Sequence, residues 1–354
     1  MTYELDRRRF LKASLATTFA VSASGLLVAC GDDDEGGGGD SEGGEDLIPL
    51  SVLMPVPIIM NFIADCAGVS CGFFEEAGLD VDLQFARTAP QAMQQLFGGS
   101  ADVIRTAPIA IAGAAANEDA PIISIGMPVQ EIVYVLVSSP DDPYASLEAL
   151  EGRTVGLPQL ASSAEDTLDL VLRSAGVDPE TVERQAVGVE STAYALIEEG
   201  RVDAIFATKE AAAAMELAGL GPVITDVSED NPLLGVALAT TTETLEAKVD
   251  PLERYLSGLA ASMRALNDPD TFLELAPAIR EDWDLPLLDD PEAAAPVMAT
   301  IAGMWFSEGD ENLLRNLPED WEAGVANFAE LSIVPEGTDP TTLYTNDLWD
   351  EALG

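Results

Sequence analysis

Residues 79–85, Leu-Asp-Val-Asp-Leu-Gln-Phe, alternate apolar and polar side chains, the period-two pattern of a half-buried strand. Strand-like segments recur along the chain, and helix-like stretches, several ending in glycine, separate them. Pro49–Met54 reads as a strand that runs into the turn Pro55-Val56-Pro57, and Ile58–Ala67 then reads as a helix. Pro90 opens a short helix over Gln91–Phe97 that stops at Gly98-Gly99; Ala101–Ile104 and Ile122–Ile125 read as further strands. The middle repeats the theme: strand Arg153–Leu157, helix Asp166–Ser174, strand Gln185–Val189, helix Thr192–Glu199, strand Val202–Phe206 and helix Lys209–Leu217. Ser162-Ser163-Ala164-Glu165 has capping-box spacing at the start of the Asp166 helix. From about Leu252 onward the pattern is mostly helical. Strand–helix alternation of this kind predicts an α/β architecture with parallel sheets wrapped by helices. With 354 residues, 47% of them hydrophobic, the chain is long enough for two such units.

Charge narrows the partners. Acidic residues outnumber basic ones 63 to 16, a formal net charge of −47. A surface that negative repels nucleic acid and anionic headgroups, which sets both aside as direct partners of the folded part. Lysine is confined to Lys12, Lys209 and Lys248. An acid-rich, lysine-poor surface suits folding in concentrated salt, where self-repulsion is screened within a few Å; an ordinary acidic secreted protein is the alternative. The chain has no histidine, the commonest general base and transition-metal ligand. We therefore expect no metal, no cofactor and no enzyme.

The first thirty residues read as an export leader rather than part of the fold. Asp6-Arg7-Arg8-Arg9-Phe10-Leu11-Lys12 matches the twin-arginine signal pattern, and an uncharged stretch from Ala13 to Ala29 follows. Leu27-Val28-Ala29-Cys30 resembles a lipobox, in which the cysteine becomes the lipidated first residue after cleavage; an uncleaved signal anchor is the alternative. Gly31 to Asp46 holds only glycine and acid with one serine, an extended tether spanning roughly 20–25 Å. Cys66 and Cys71 are a possible disulfide in an oxidising compartment, with two free thiols as the alternative.

Gly72-Phe73-Phe74-Glu75-Glu76-Ala77-Gly78-Leu79-Asp80-Val81 resembles the "GFFxEAGLDV" segment of the NMT1/THI5-like periplasmic binding proteins, relatives of the nitrate, sulfonate, taurine and pyrimidine-precursor receptors of ABC importers. Gly98–Val103, Leu147–Gly156, Gly200–Ile205 and Tyr344–Leu348 resemble further segments of that family, in the same order. The resemblance runs from about Leu47 to the end and departs at Cys66–Cys71. It implies a periplasmic-binding-protein type II fold, two α/β lobes with a ligand cleft between them: residues 47–133 and 234–354 in one lobe, 134–233 in the other. Together with the leader and lipobox, it leads us to expect an extracytoplasmic solute-binding lipoprotein, monomeric and held by its lipid at the outer face of the cell membrane. Its partners would be a small-molecule ligand and an ABC permease and ATPase. A lipid-anchored sensor or scaffold of the same fold is the alternative. A pyrimidine-precursor synthase is disfavoured, since such relatives use histidine and a cysteine-rich iron motif.

Ligands of open α/β sheets bind at the carboxyl ends of strands, where helix N-termini offer unpaired N–H groups. The first lobe then offers Pro57 and Met60 from the Pro55–Met60 loop, Arg87-Thr88, Thr106-Ala107 and Met127. The second offers Ser162-Ser163, Glu190-Ser191 and Thr208-Lys209. Each has a structural alternative: helix caps for the serines at 162 and 163, core or turn for Pro57 and Met60, and a carboxylate partner such as Glu210 or Glu190 for Lys209. Arg87 and Arg105 read as partners of surface carboxylates, and Trp305 as helical core rather than an aromatic wall.

Overall fold

The computed structural model describes residues 47–188, 191–227 and 235–354. The leader, the lipobox cysteine, the tether and Glu190 lie outside them, as do the side chains of Ser163 and Ser191. Among the described residues, ten strands form two five-stranded sheets. The first sheet takes β1 (Ile48–Met54), β2 (Leu79–Phe85), β3 (Val103–Thr106) and β4 (Ile122–Val129). The second takes β5 (Tyr134–Ser138), β6 (Thr154–Leu157), β7 (Glu183–Ala186), β8 (Ala204–Thr208) and β9 (Val223–Asp226). The chain then returns to the first sheet as β10 (Val236–Thr241), giving the orders β2-β1-β3-β10-β4 and β7-β6-β8-β5-β9.

Helices fill the connections. The first lobe carries α1 (Ile63–Ser70), α2 (Phe73–Glu76), α3 (Ala89–Phe97) and α4 (Pro108–Glu118); the second carries α5 (Ser163–Ser174), α6 (Ala195–Glu198) and α7 (Lys209–Leu217). The C-terminal third runs α8 (Thr242–Ala247), α9 (Val249–Asn267), α10 (Pro269–Asp282), α11 (Pro291–Trp305), α12 (Pro318–Glu330) and α13 (Asp347–Ala352). Helix α9 packs on α1 and α2, and Trp305 at the end of α11 is buried core, as its apolar neighbours predict.

The period-two strand takes its place in full. Leu79 and Val81 are buried, Asp80 and Asp82 exposed, and all seven residues of β2 pair in parallel with β1. Both sheets are mixed, however, not purely parallel. β10 runs antiparallel to β3 and β4, and β5 antiparallel to β8 and β9. Parallel neighbours need a crossover of a dozen or more residues to carry the chain back to the same edge. Only residues 130–133 separate β4 from β5, so β5 enters the second sheet straight from the first and runs against the βαβ strands beside it. The two crossing segments touch closely: a Cβ on Gly235 would lie 2.0 Å from the Val129 carbonyl oxygen.

Several boundaries differ from those the sequence predicts. β3 and β8 each continue two residues past their apolar run, to Thr106 and Thr208, because both remain paired with a neighbouring strand. β7 covers Glu183–Ala186 rather than Gln185–Val189, and the helices expected from Ile58 and Thr192 each begin as a 3-10 turn, at Met60 and Ser191. The capping box does not form. The Ser162 hydroxyl turns back to donate to the Gln159 carbonyl at 2.7 Å, while Glu165 accepts from the Ala161 N–H at 2.6 Å.

Cys66 and Cys71 are free thiols. Cys66 lies within α1 and Cys71 caps its end, where its N–H still bonds the Ala67 carbonyl. Five helical residues rise about 7.5 Å, beyond the roughly 4.4–6.8 Å between Cα atoms that a disulfide spans. Burial pushes the Cys71 thiol up to about 11 and the Cys66 thiol higher still, so neither is poised as a thiolate.

Candidate functional site

A cavity of about 340 Å³ lies between the two sheets. It is lined by the loops that leave β1, β2 and β3 on one side and β6 and β8 on the other. Because β5 and β10 run antiparallel to their neighbours, their first residues, Tyr134 and Val236, reach the same edge and close the cavity along the crossing segments. Val56, Ile59, Phe62 and Val133 add apolar wall. Tyr134 stacks on Phe206, with ring centroids 5.0 Å apart.

Three helices begin at this cavity. The N-cap residues of α4, α5 and α7 are Ala107, Ser162 and Thr208, and all three line it. The first-turn N–H groups of a helix lack intrahelical partners, and its macrodipole places partial positive charge there. Convergence of three such ends favours a negatively charged or electronegative group between them.

Arg105 also lines the cavity, and it does not pair with a surface carboxylate. Its side chain is wholly buried, with Nη2 on Asp65 Oδ2 at 2.5 Å and Nη1 at 3.5 Å from the Asn61 carbonyl. Asp65 Oδ1 in turn accepts from the Tyr255 hydroxyl at 2.7 Å. Burial and the Asp65 carboxylate hold that hydroxyl well above its ordinary pKa, so it stays a donor. The guanidinium sits 5.7 Å from the centroid of Phe62. Its Nε–H has no hydrogen-bond partner among the described residues.

Across the cavity stands Glu210 on the first turn of α7, 5% exposed. Burial pushes its carboxyl up from the usual range, only partly offset by hydrogen bonds from its own backbone and from the side chains of Thr208 and Asn61. Its Oε2 has no partner among the described residues.

Of the residues the sequence singles out, Pro57, Arg87, Thr106, Ala107, Ser162 and Thr208 line the cavity. Met60 is buried in the 3-10 turn before α1, and Met127 is buried on β4, where its N–H bonds the Leu314 carbonyl at 2.9 Å; neither lines the cavity. Thr88 caps α3 by accepting from the Gln91 N–H. Lys209 does not reach the site either. Its ammonium pairs at 2.9 Å with Glu131 on the first crossing segment, which offsets the unfavourable placement of a cation at a helix start. Sequence reading missed Asn61, Phe62, Tyr134 and Gln159, and it took Glu210 only for a partner of Lys209. The two extra residues at the end of β8 bring position 210, rather than 209, to the cavity.

The lobes also touch directly. The Gln159 side-chain amide donates to the Arg87 carbonyl at 2.9 Å, and the Lys209 backbone N–H donates to the Val133 carbonyl at 2.8 Å.

The model of the family described as NMT1/THI5 like matches residues 59–271. No curated protein matches the chain. Among solved structures, the periplasmic aliphatic sulphonate binding protein SsuA from Escherichia coli is 19% identical, with TM-score 0.61 over 86% of this chain and 99% of that one. The alkanesulfonate-binding protein SsuA from Xanthomonas axonopodis pv. citri, bound to MOPS, is 16% identical, with TM-score 0.62 over 85% and 99%. The periplasmic nitrate-binding protein NrtA from Synechocystis PCC 6803 is 10% identical, with TM-score 0.60 over 87% and 88%. An enzyme, the desulfurization enzyme DSZB, shares the fold more loosely, at TM-score 0.52 and 13% identity over 86% and 99%. With its two mixed α/β sheets, a cleft between their strand ends and a family match over most of its folded length, the chain belongs to the NMT1/THI5-like family.

Proposed function

We propose that this protein is an extracytoplasmic solute-binding protein that captures a small organic oxyanion and delivers it to an ABC permease and ATPase. The observation that carries this reading is the convergence of three helix N-termini and two arginines, Arg87 and Arg105, on one cavity with apolar walls. The helix ends and guanidinium groups suit an anionic head. The wall of Val56, Ile59, Phe62 and Val133 suits a short hydrocarbon body. The cavity volume suits one small molecule. The sulphonate- and nitrate-binding proteins that share the fold add support for the ligand class. A lipid on Cys30 and the acidic tether after it hold the folded body at the outer face of the membrane.

The test is a thermal-shift series in molar potassium chloride with ethanesulfonate, longer aliphatic sulfonates and nitrate. A ligand at 100 times its dissociation constant stabilises the fold by about 2.7 kcal/mol, which raises the melting temperature by a few degrees. A series in which no oxyanion moves the melt, while neutral or cationic solutes do, would remove the oxyanion reading. Replacing Cys30 by serine abolishes lipid attachment under this reading, and a variant that still partitions with membranes would contradict the anchor.

A further inference from the structure

Two buried side chains in the cleft carry a polar atom without a hydrogen-bond partner among the described residues: Arg105 at Nε and Glu210 at Oε2. Both side chains are more than nine-tenths buried, and both line the same cavity from opposite lobes. Asn61 links them, since its carbonyl accepts from Arg105 Nη1 and its side chain hydrogen-bonds the Glu210 carboxyl. The two side chains therefore stand on either side of a single residue at the cavity. A buried polar atom without a partner is costly. Two of them on residues that line one cavity are explained by a ligand that satisfies both.

We infer that Glu210 holds the captured oxyanion through its own carboxyl proton, so that ligand and proton occupy the cleft together. This rests on the oxyanion reading above and adds to it. Oε2 has no hydrogen-bond partner among the described residues, and an anion meets a carboxyl oxygen favourably only when a proton on that oxygen makes it a donor. A proton on Oε2 would give this orphan atom an O–H to donate to the ligand. Burial favours this protonated form by penalising the ionised one. Arg105 Nε–H and Glu210 Oε2–H then form a pair of donors, one from each lobe, and an oxyanion between them ties the lobes together. Once the proton leaves, the same carboxylate repels the anion it had been holding.

The charged and titratable groups around Glu210 leave it the clearest source of such a switch. Arg105 and Arg87 line the cavity, with Asp65 behind Arg105; Lys209 precedes it, paired with Glu131. Of the elements packed on α7, β5 carries Tyr134, the turn before α6 carries Tyr194, α11 carries only Glu292, and β8 carries none. Arginine, lysine and tyrosine ordinarily titrate at about 10 or above, and the chain contains no histidine. Asp166 on α5 is also raised, by burial and by Asp169 and Glu165, but it does not line the cavity.

The test is calorimetric titration of the full chain with ethanesulfonate and with nitrate, neither of which titrates in the range used, at about pH 5 and about pH 8.5 in molar potassium chloride. We expect affinity to be lower at the higher pH, by about tenfold for each pH unit above the pKa of the carboxyl. Glu210→Gln keeps an N–H donor at every pH, so it binds with no pH dependence, while Asp166→Asn retains the full dependence. Equal wild-type affinity at both pH values overturns the inference and leaves oxyanion capture standing. Tighter binding at high pH also overturns it, because the carboxylate is then the form that binds. If neither probe binds at either pH, oxyanion capture itself falls and the inference with it.

Discussion

The side-chain amide of Gln159 reaches out of the second lobe and donates to the backbone carbonyl of Arg87 at 2.9 Å, joining the loop after β6 to the loop after β2. Both residues line the cavity, so this bond joins its two walls. Gln159→Ala removes a bond whose net worth is about 0.5–1.5 kcal/mol. We predict a roughly two- to tenfold loss of ligand affinity with little change in the melt of the unliganded protein. The two are separable by titration and by thermal denaturation of the same preparation.

The Arg105–Asp65 pair is wholly buried, so removing one partner strands the other's charge. Arg105→Met is predicted to cost about 3–5 kcal/mol of stability, whereas replacing both, with Asp65→Leu added, costs less because no charge is left unpaired. Denaturant unfolding of the two variants in high salt measures the difference. A double variant less stable than the single would contradict this account of the pair.

Lys209 is the residue on which sequence and structure part most clearly. Its partner is Glu131, and it stands outside the cavity lining. Lys209→Met is predicted to leave ligand affinity within about twofold and to lower stability by no more than about 1 kcal/mol, the scale of a partly exposed ion pair. A tenfold loss of affinity in titration would return Lys209 to the site.

Stability should also depend on pH through Glu210. Its pKa is raised in the fold, so the native state keeps a proton over a range in which the unfolded chain has lost it. Stability from this group is complete below the ordinary carboxylate range and declines as pH rises through the raised value. Comparing melting temperatures of wild type and Glu210→Gln across that range isolates the contribution, and the difference between them should shift in favour of the variant as pH rises.

Much of the framework is legible in the chain. Period two marks β2, glycines mark several helix ends, and the Lys209–Leu217 helix lies where its pattern predicts. The ends of β3 and β8 are not legible, because Arg105-Thr106 and Ala207-Thr208 look like loop composition and stay in strand only through pairing with β10 and β5. The antiparallel course of those two strands follows from how the chain crosses between lobes, which no local pattern records. The site divides the same way. Strand-end loops point to Thr106, Ala107 and Ser162, but Arg105 and Glu210 are charged residues that read as surface. Only the folded chain, with Asp65 of α1 against Arg105 and the cavity wall around Glu210, shows that both are buried.

The net charge of −47 makes salt a direct probe of the surface. Unscreened repulsion reaches about 30 Å at 0.01 M ionic strength and about 3 Å at 1 M, so the melting temperature should rise steadily with potassium chloride. Equal melts in dilute and molar salt would remove the case for adaptation to high salt.

Ala107 caps α4 at the cavity wall, where a large side chain would fill the space between the helix ends. Titration of the wild type and of Ala107→Trp with the oxyanion that most raises the melt therefore tests capture in the cleft most directly. The account predicts one site per chain in the wild type and no measurable binding in a variant that still melts cooperatively. Equal affinity in the two proteins would place the ligand elsewhere and contradict it.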